Sequence, residues 1–239
     1  MAYPSNIISN DWHHIIEAES VIQTLYDQNG QRRQFGILER PGIYSNIEEI
    51  SYKLWFIGRS GIGKTTAINR LAGETNQPQT YVETSGIRKT NIFWPAKVWE
   101  KVFLFKLNCW ECGDISGKKY SHIIPACRDK ADIIVVIFSF TDPTSLREAQ
   151  NILTSIGDST AKIVLGVRYN PYKPTAVKIS DVQELANICQ VEVATLEESG
   201  IHEGISEMSR IAPVLNVICQ TLWKRDQQFV LIQSNPVQV

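Results

Sequence analysis

The sequence has no apolar run long enough to cross a bilayer; the longest, Ile133–Phe138, has the length of one strand. Its opening lacks the basic-then-apolar pattern of a secretion signal. Ala2 stands where myristoylation needs glycine, and the tail Pro236-Val237-Gln238-Val239 carries no cysteine for prenylation. These gaps argue for a cytoplasmic protein without a lipid anchor, one that meets membranes only through partners. Excess charge is missing too. With 24 basic and 25 acidic residues, the net charge of −1 gives no electrostatic reason to expect nucleic-acid binding. Five cysteines without a signal peptide read as reduced thiols. Cys109 and Cys112 have half the spacing of a zinc site, but only His122 is nearby and no second pair follows.

What is present fits one domain with additions. The 239 residues, 43% hydrophobic, suffice for a single core and would be cramped as two. Residues 1–50 read as an N-terminal extension. In it Ile15, Ile16, Ala18, Val21, Ile22 and Leu25 recur at helical spacing, predicting one amphipathic helix over 12–27. That helix would either cover the domain's own sheet or dock a partner, the former being favoured by its continuous apolar stripe. Arg32-Arg33 and Glu197-Glu198 read as solvated surface charges.

From residue 51 strands and helices alternate. Tyr52–Ile57 predicts a strand, and Thr66–Leu71 a helix closed by Gly73. Asn91–Val98 and Val102–Trp110 predict two strands joined by a tight turn, with Phe103, Phe105, Leu107 and Cys109 on one face. Ile133–Phe140 reads as a central parallel strand covered on both faces. Asp142-Pro143 starts a helix that runs to about Ile156, and Lys162–Val167 is another strand. Ser180–Ile188 reads as a helix, Val191–Thr195 as a last strand and 203–224 as a closing helix, leaving 225–239 as a tail. The expected fold is α/β, a mostly parallel sheet with helices on both faces over residues 51–224. Ligands of such sheets sit at the carboxyl ends of the strands.

Gly58-Arg59-Ser60-Gly61-Ile62-Gly63-Lys64-Thr65 matches GxxxxGK[ST] in full, between a predicted strand and a predicted helix. The glycines let successive N–H groups of Ser60, Gly61, Ile62 and Gly63 face one concavity. The helix that follows, with Lys64, Thr65 and Thr66 in its first turn, adds its positive end. Lys64 would bridge phosphates as a point charge, and the Thr65 hydroxyl would ligate Mg²⁺. A chance glycine-rich turn would explain the glycines but not Lys-Thr at this offset.

Over about residues 51–224 the chain resembles the small GTPases, the Rab-like branch of the Ras superfamily. Thr84-Ser85-Gly86-Ile87 is similar to the first switch segment, Trp110-Glu111-Cys112-Gly113 to the Trp-Asp-Thr-Ala-Gly at the end of the third strand, and Phe138–Asp142 to the end of the next strand. Asp11-Trp12-His13, Phe35–Pro41 and Phe93–Lys97 narrow the resemblance to a divergent ciliary branch. The resemblance implies GTP/GDP and Mg²⁺ as ligands, with Thr84 and the second-shell Glu111 completing the metal site begun by Thr65. It also implies a protein effector complex (Fuzzy, Inturned and Wdpcp), work at the cilium basal body, and a monomer outside that complex. Gly86, Phe93 and Trp94 are expected to face the effector, with packing an equal alternative for Trp94; Trp99 is expected to pack.

Three departures bear on chemistry. Glu111 is one methylene longer than the family's aspartate. Ile115 stands where the family's water-orienting glutamine belongs, and Asp114 where its glycine does, so intrinsic hydrolysis is expected to be slow. The base-reading Asn-Lys-x-Asp is Val167-Arg168-Tyr169-Asn170; Asn170 offers guanine one acceptor instead of two, and Arg168 replaces the stacking lysine. Ala194 and Thr195, in Val193-Ala194-Thr195-Leu196, are expected to form the last base loop. The expectation is a GTP- and Mg²⁺-dependent interaction switch. A GTPase needing an activator, a nucleotide-inert structural subunit and, more remotely, a P-loop kinase are the alternatives.

Overall fold

The computed structural model describes residue 8 and residues 16–27, 31–43, 47–74, 83–113, 122–157, 160–169, 173–197 and 207–234. Six strands form one sheet in the order β2-β3-β1-β4-β5-β6. They are β1 (Glu48–Ile57), β2 (Ile87–Val98), β3 (Lys101–Cys112), β4 (Ile133–Ser139), β5 (Ala161–Arg168) and β6 (Glu192–Glu197). Every neighbouring pair is parallel except β2 with β3. Among the described residues the helices are α1 (Ile16–Leu25), α2 (Lys64–Ala72), α3 (Ile123–Arg128), α4 (Pro143–Ser155), α5 (Ile179–Cys189) and α6 (Glu207–Ser234).

β4 shows why an unbroken apolar run belongs at the centre. Successive side chains of a strand point to opposite faces. Ile133, Val135 and Ile137 therefore join the core under α2 and α6, while Ile134, Val136 and Phe138 join the core under α3, α4 and α5. Local signals end the helices as expected. Asp142 caps α4 by accepting from the Thr144 N–H at 2.9 Å, with Pro143 in the first turn, and Gly73 closes α2 in the left-handed conformation.

The extension is bound to the domain. The β2–β3 wing has an apolar outer face, Phe93 and Leu104, which none of α3 to α5 covers; Val21 and Leu25 of α1 pack onto it instead. Phe35 meets Phe93 edge-on at 5.2 Å, and isolated bridges join Ile8 to Val98 and Phe35 to Asn91 along the outermost strand. Arg32 is not a solvated charge. It is buried, donating to the Leu71 carbonyl at 2.6 Å and the Phe93 carbonyl at 2.7 Å, with its guanidinium 5.3 Å from the Trp94 ring centre. Burial pulls its pKa down to about 10.

Other boundaries move for physical reasons. α1 ends at Leu25, two residues before the expected 27, the expected start at 12–15 lying outside the described residues, and β1 begins three residues before the expected domain start. The closing helix does not stop at 224. Beyond the apolar stripe, α6 is held by polar ties: Arg225 to Asp132 at 2.6 Å, and Asp226 accepting from Tyr52 Oη at 2.7 Å. Trp99 is 57% exposed, because it forms the two-residue hairpin apex with Glu100 and touches Trp223 only by its edge.

Candidate functional site

The phosphate-loop sequence leaves β1 and enters α2, as its motif requires. Two glycines are obligatory there. Gly58 has φ +157° and an added Cβ would lie 2.6 Å from the Ile137 carbonyl; Gly63 has φ +99° and its Cα lies against the Tyr169 ring. Lys64 folds back along the loop and donates to the carbonyls of Gly58 and Arg59, both at 2.9 Å. Arg59 pairs with Asp142 at 3.3 Å, tying the loop to the start of α4.

Three expected metal-site residues converge. The Thr65 hydroxyl donates to Glu111 Oε2 at 2.7 Å and lies 2.9 Å from the Thr84 hydroxyl. Glu111 reaches this point because β3 runs parallel to β1, placing it beside Phe56 just before the loop. Its side chain is almost wholly buried, and Oε1 has no hydrogen-bond partner. Arg88, directly across the β2–β3 ladder, lies 4.0 Å from that oxygen. Burial pushes the Glu111 pKa above its ordinary value; the Thr65 bond, Arg88 and Lys64 oppose the shift. A buried carboxylate oxygen without a hydrogen bond is costly. Two hydroxyls beside it make an all-oxygen donor set of the kind a hard divalent cation takes. Among the described residues no cluster of three His, Cys, Asp or Glu side chains offers a second metal site.

The switch-side expectations divide. Gly86 opens β2 with φ +68° and open space around its Cα, and its carbonyl accepts from the Gly113 N–H at 3.2 Å. Phe93 and Trp94 do not face outwards, each being 1% exposed. α1 and Phe35 cover Phe93, and Trp94 turns inward to donate its indole N–H to Asn216 Oδ1 at 2.8 Å. Asp114 and Ile115 lie outside the described residues.

On the base side, Val167 is core and Arg168 is half-buried, its guanidinium donating to the Lys173 carbonyl at 3.4 Å. Asn170 lies outside the described residues. Ala194 and Thr195 are not a loop. They stand inside β6 opposite Leu165 and Gly166, and Ala194 is buried, whereas Arg168 is level with Glu197. Two residues the motifs did not single out belong to the site. Arg88 faces Glu111, which the hairpin register would have shown. Tyr169 donates its hydroxyl to the Gly63 carbonyl at 2.9 Å, which follows from the alternation of Ile163, Leu165 and Val167 toward the α2 side.

A phosphate loop at the strand ends, with a hydroxyl-and-carboxylate cluster beside it, is the working end of a small-GTPase-type P-loop domain. The Ras family model matches residues 53–212, and the chain belongs to the Ras family. Over nearly its full length it is similar to the protein named ciliogenesis and planar polarity effector 2. Identity to the Mus musculus form is 33%, covering 97% of this chain and 95% of that protein. For the Homo sapiens form it is 30%, covering 98% and 95%. Similarity to the Ras-related protein Rab-13 of Rattus norvegicus is 28% identity over 66% of this chain and 78% of that protein.

Proposed function

We propose that the chain is a guanine-nucleotide- and Mg²⁺-dependent switch whose loaded arrangement is recognised by a protein partner. The observation that carries the reading is the convergence of Thr65, Thr84 and the buried, half-satisfied Glu111 carboxylate beside the phosphate loop. Thr65 and Thr84 would hold Mg²⁺ and Glu111 would face its shell; the ion, when bound, offsets phosphate charge. Thr65 belongs to the helix that receives the phosphates, and Thr84 precedes β2. Holding the two hydroxyls together favours one arrangement of the segment between them, and a partner that binds this arrangement better shifts the population toward it.

The full-length relatives are named for ciliogenesis and planar polarity. For this chain the reading extends to cilium assembly and planar polarity, with the Fuzzy, Inturned and Wdpcp assembly as partner and the basal body as place of work. With Ile115 at the water-orienting position, hydrolysis is slow unless a partner supplies the missing group. A nucleotide-inert subunit is the second reading, favoured by the apolar Val167 and Ala194 at the base-side strands.

The test is to denature purified protein gently and identify the released nucleotide by chromatography. Near-stoichiometric GTP supports a slow switch, and GDP supports one that turns over. Neither guanine nucleotide being present, nor taken up from solution with Mg²⁺, overturns the reading in favour of the inert subunit.

A further inference from the structure

We propose that Tyr169 is a positioning residue for the phosphate loop, joining it to the end of β5 so that nucleotide retention depends on that joint. The inference rests on the nucleotide-binding reading above and deepens it. β5 sends Ile163, Leu165 and Val167 into the core under α2 and α6, and Tyr169, one step beyond the strand, packs against the same cluster. Its hydroxyl donates to the Gly63 carbonyl at 2.9 Å. Its ring rests on the same residue: a Cβ at Gly63 would collide with Tyr169 Cε2.

The position of that peptide matters. Gly63 is the last residue before α2, held in the left-handed conformation, and its carbonyl also accepts the early helical bond from the Ala67 N–H at 2.9 Å. Whatever fixes the Gly63 peptide fixes the turn from which Lys64 and Thr65 project. Val167, the preceding side chain on this face, is fully buried and has no polar side-chain atom to give. Tyr169 therefore carries a polar tie from the base-side strand to the phosphate loop. A ring alone would fill the space; the hydroxyl adds a bond to the backbone that orients the two ligand-binding side chains.

The test compares the full chain with Tyr169→Phe, which keeps the ring and removes the hydroxyl. Each is loaded with a fluorescent GDP analogue and chased with excess GTP, and amide hydrogen exchange is followed on the ligand-free chains. Release from Tyr169→Phe is expected to be about three- to tenfold faster, the range one net hydrogen bond supports. Exchange at residues 61–65 is expected to rise while α6 stays unchanged, a local signature that general loss of stability would not produce. Unchanged release overturns the proposal, whether or not loop exchange rises. If the unsubstituted chain retains no guanine nucleotide, the switch reading itself fails. The exchange comparison then still decides the tie: equal protection at 61–65 overturns it.

Discussion

The hydroxyls of Thr65 and Thr84, nineteen residues apart in sequence, lie 2.9 Å from each other, and Thr65 also donates to the Glu111 carboxylate. One hydroxyl lies in the first turn of the helix after the phosphate loop and the other precedes the outermost strand, so the pair measures the separation of two segments distant in sequence. If both hydroxyls serve one cation, their removal has unequal effects. Thr65→Ala removes a ligand and the donor to Glu111. It is expected to raise the Mg²⁺ concentration for half-maximal nucleotide retention by about tenfold or more, the scale of a bond to a charged group. Thr84→Ala should shift it less, as read by Mg²⁺ titration of analogue release. Identical midpoints in all three proteins would rule out a shared ion.

Glu111 makes the ligand-free chain pH-sensitive. Its folded pKa is raised above the ordinary 4.5, chiefly by burial. The folded chain therefore holds this proton more tightly than the unfolded one. The stabilising contribution is complete below 4.5 and is lost as pH rises through the raised folded value. Glu111→Gln has no charge to desolvate and should flatten the melting temperature across that window in the presence of a chelator. A slope matching the parent's would disprove the assignment.

Arg32 offers a test of how firmly the extension is bound. Replacing it with methionine keeps most of the aliphatic volume but leaves the Leu71 and Phe93 carbonyls without their guanidinium donors. A loss of about 3 kcal/mol in denaturant unfolding is expected, with lysine recovering only part because it lacks the planar fork. Loss below about 0.5 kcal/mol, the range of ordinary surface changes, would mean that the guanidinium is solvated after all.

Phe93 and Leu38 should behave as opposites. Phe93 is 1% exposed and Leu38 96% exposed. Phe93→Ala is expected to cost about 3–5 kcal/mol, and Leu38→Ala to stay within about 0.5 kcal/mol. Comparable losses from the two would contradict the covering of the wing by α1.

Thiol labelling of the folded, ligand-free chain should be selective. Cys109, Cys127 and Cys219 are buried and free, whereas Cys112 and Cys189 are partly exposed. Burial also pushes the Cys127 pKa up to about 11, suppressing the reactive thiolate. Peptide mass mapping after a brief alkylating pulse should find Cys112 and Cys189 modified first. Early modification of Cys219 would show that α6 opens.

What could be read from the chain depended on the range of the signal. The phosphate loop, the Asp142-Pro143 helix start and the two-sided strand β4 are written within a few neighbouring residues, and the structure places them as expected. Arg32 could not be read this way, because its two carbonyls lie 39 and 61 residues further along the chain. Ala194 and Thr195 were misplaced because the register of β6 against β5 comes from pairing, which no local spacing reveals. α3, six residues long, is too short for helical periodicity to stand out. α6 outran its apolar stripe because its last part is held by Asp132, Tyr52 and Glu192.

The segment along β2 also covers part of the sheet's outer edge. An outermost strand with free N–H and C=O groups is a template for another chain. Here isolated bridges from Phe35 and Ile8 engage Asn91 and Val98 of that strand, and the Arg32 guanidinium takes the Phe93 carbonyl between them. Stripped of these contacts, the sheet would expose Phe93 beside an open ladder, a combination that favours edge-to-edge stacking. A strand approaching that edge would meet occupied positions at Asn91, Phe93 and Val98 rather than an open ladder.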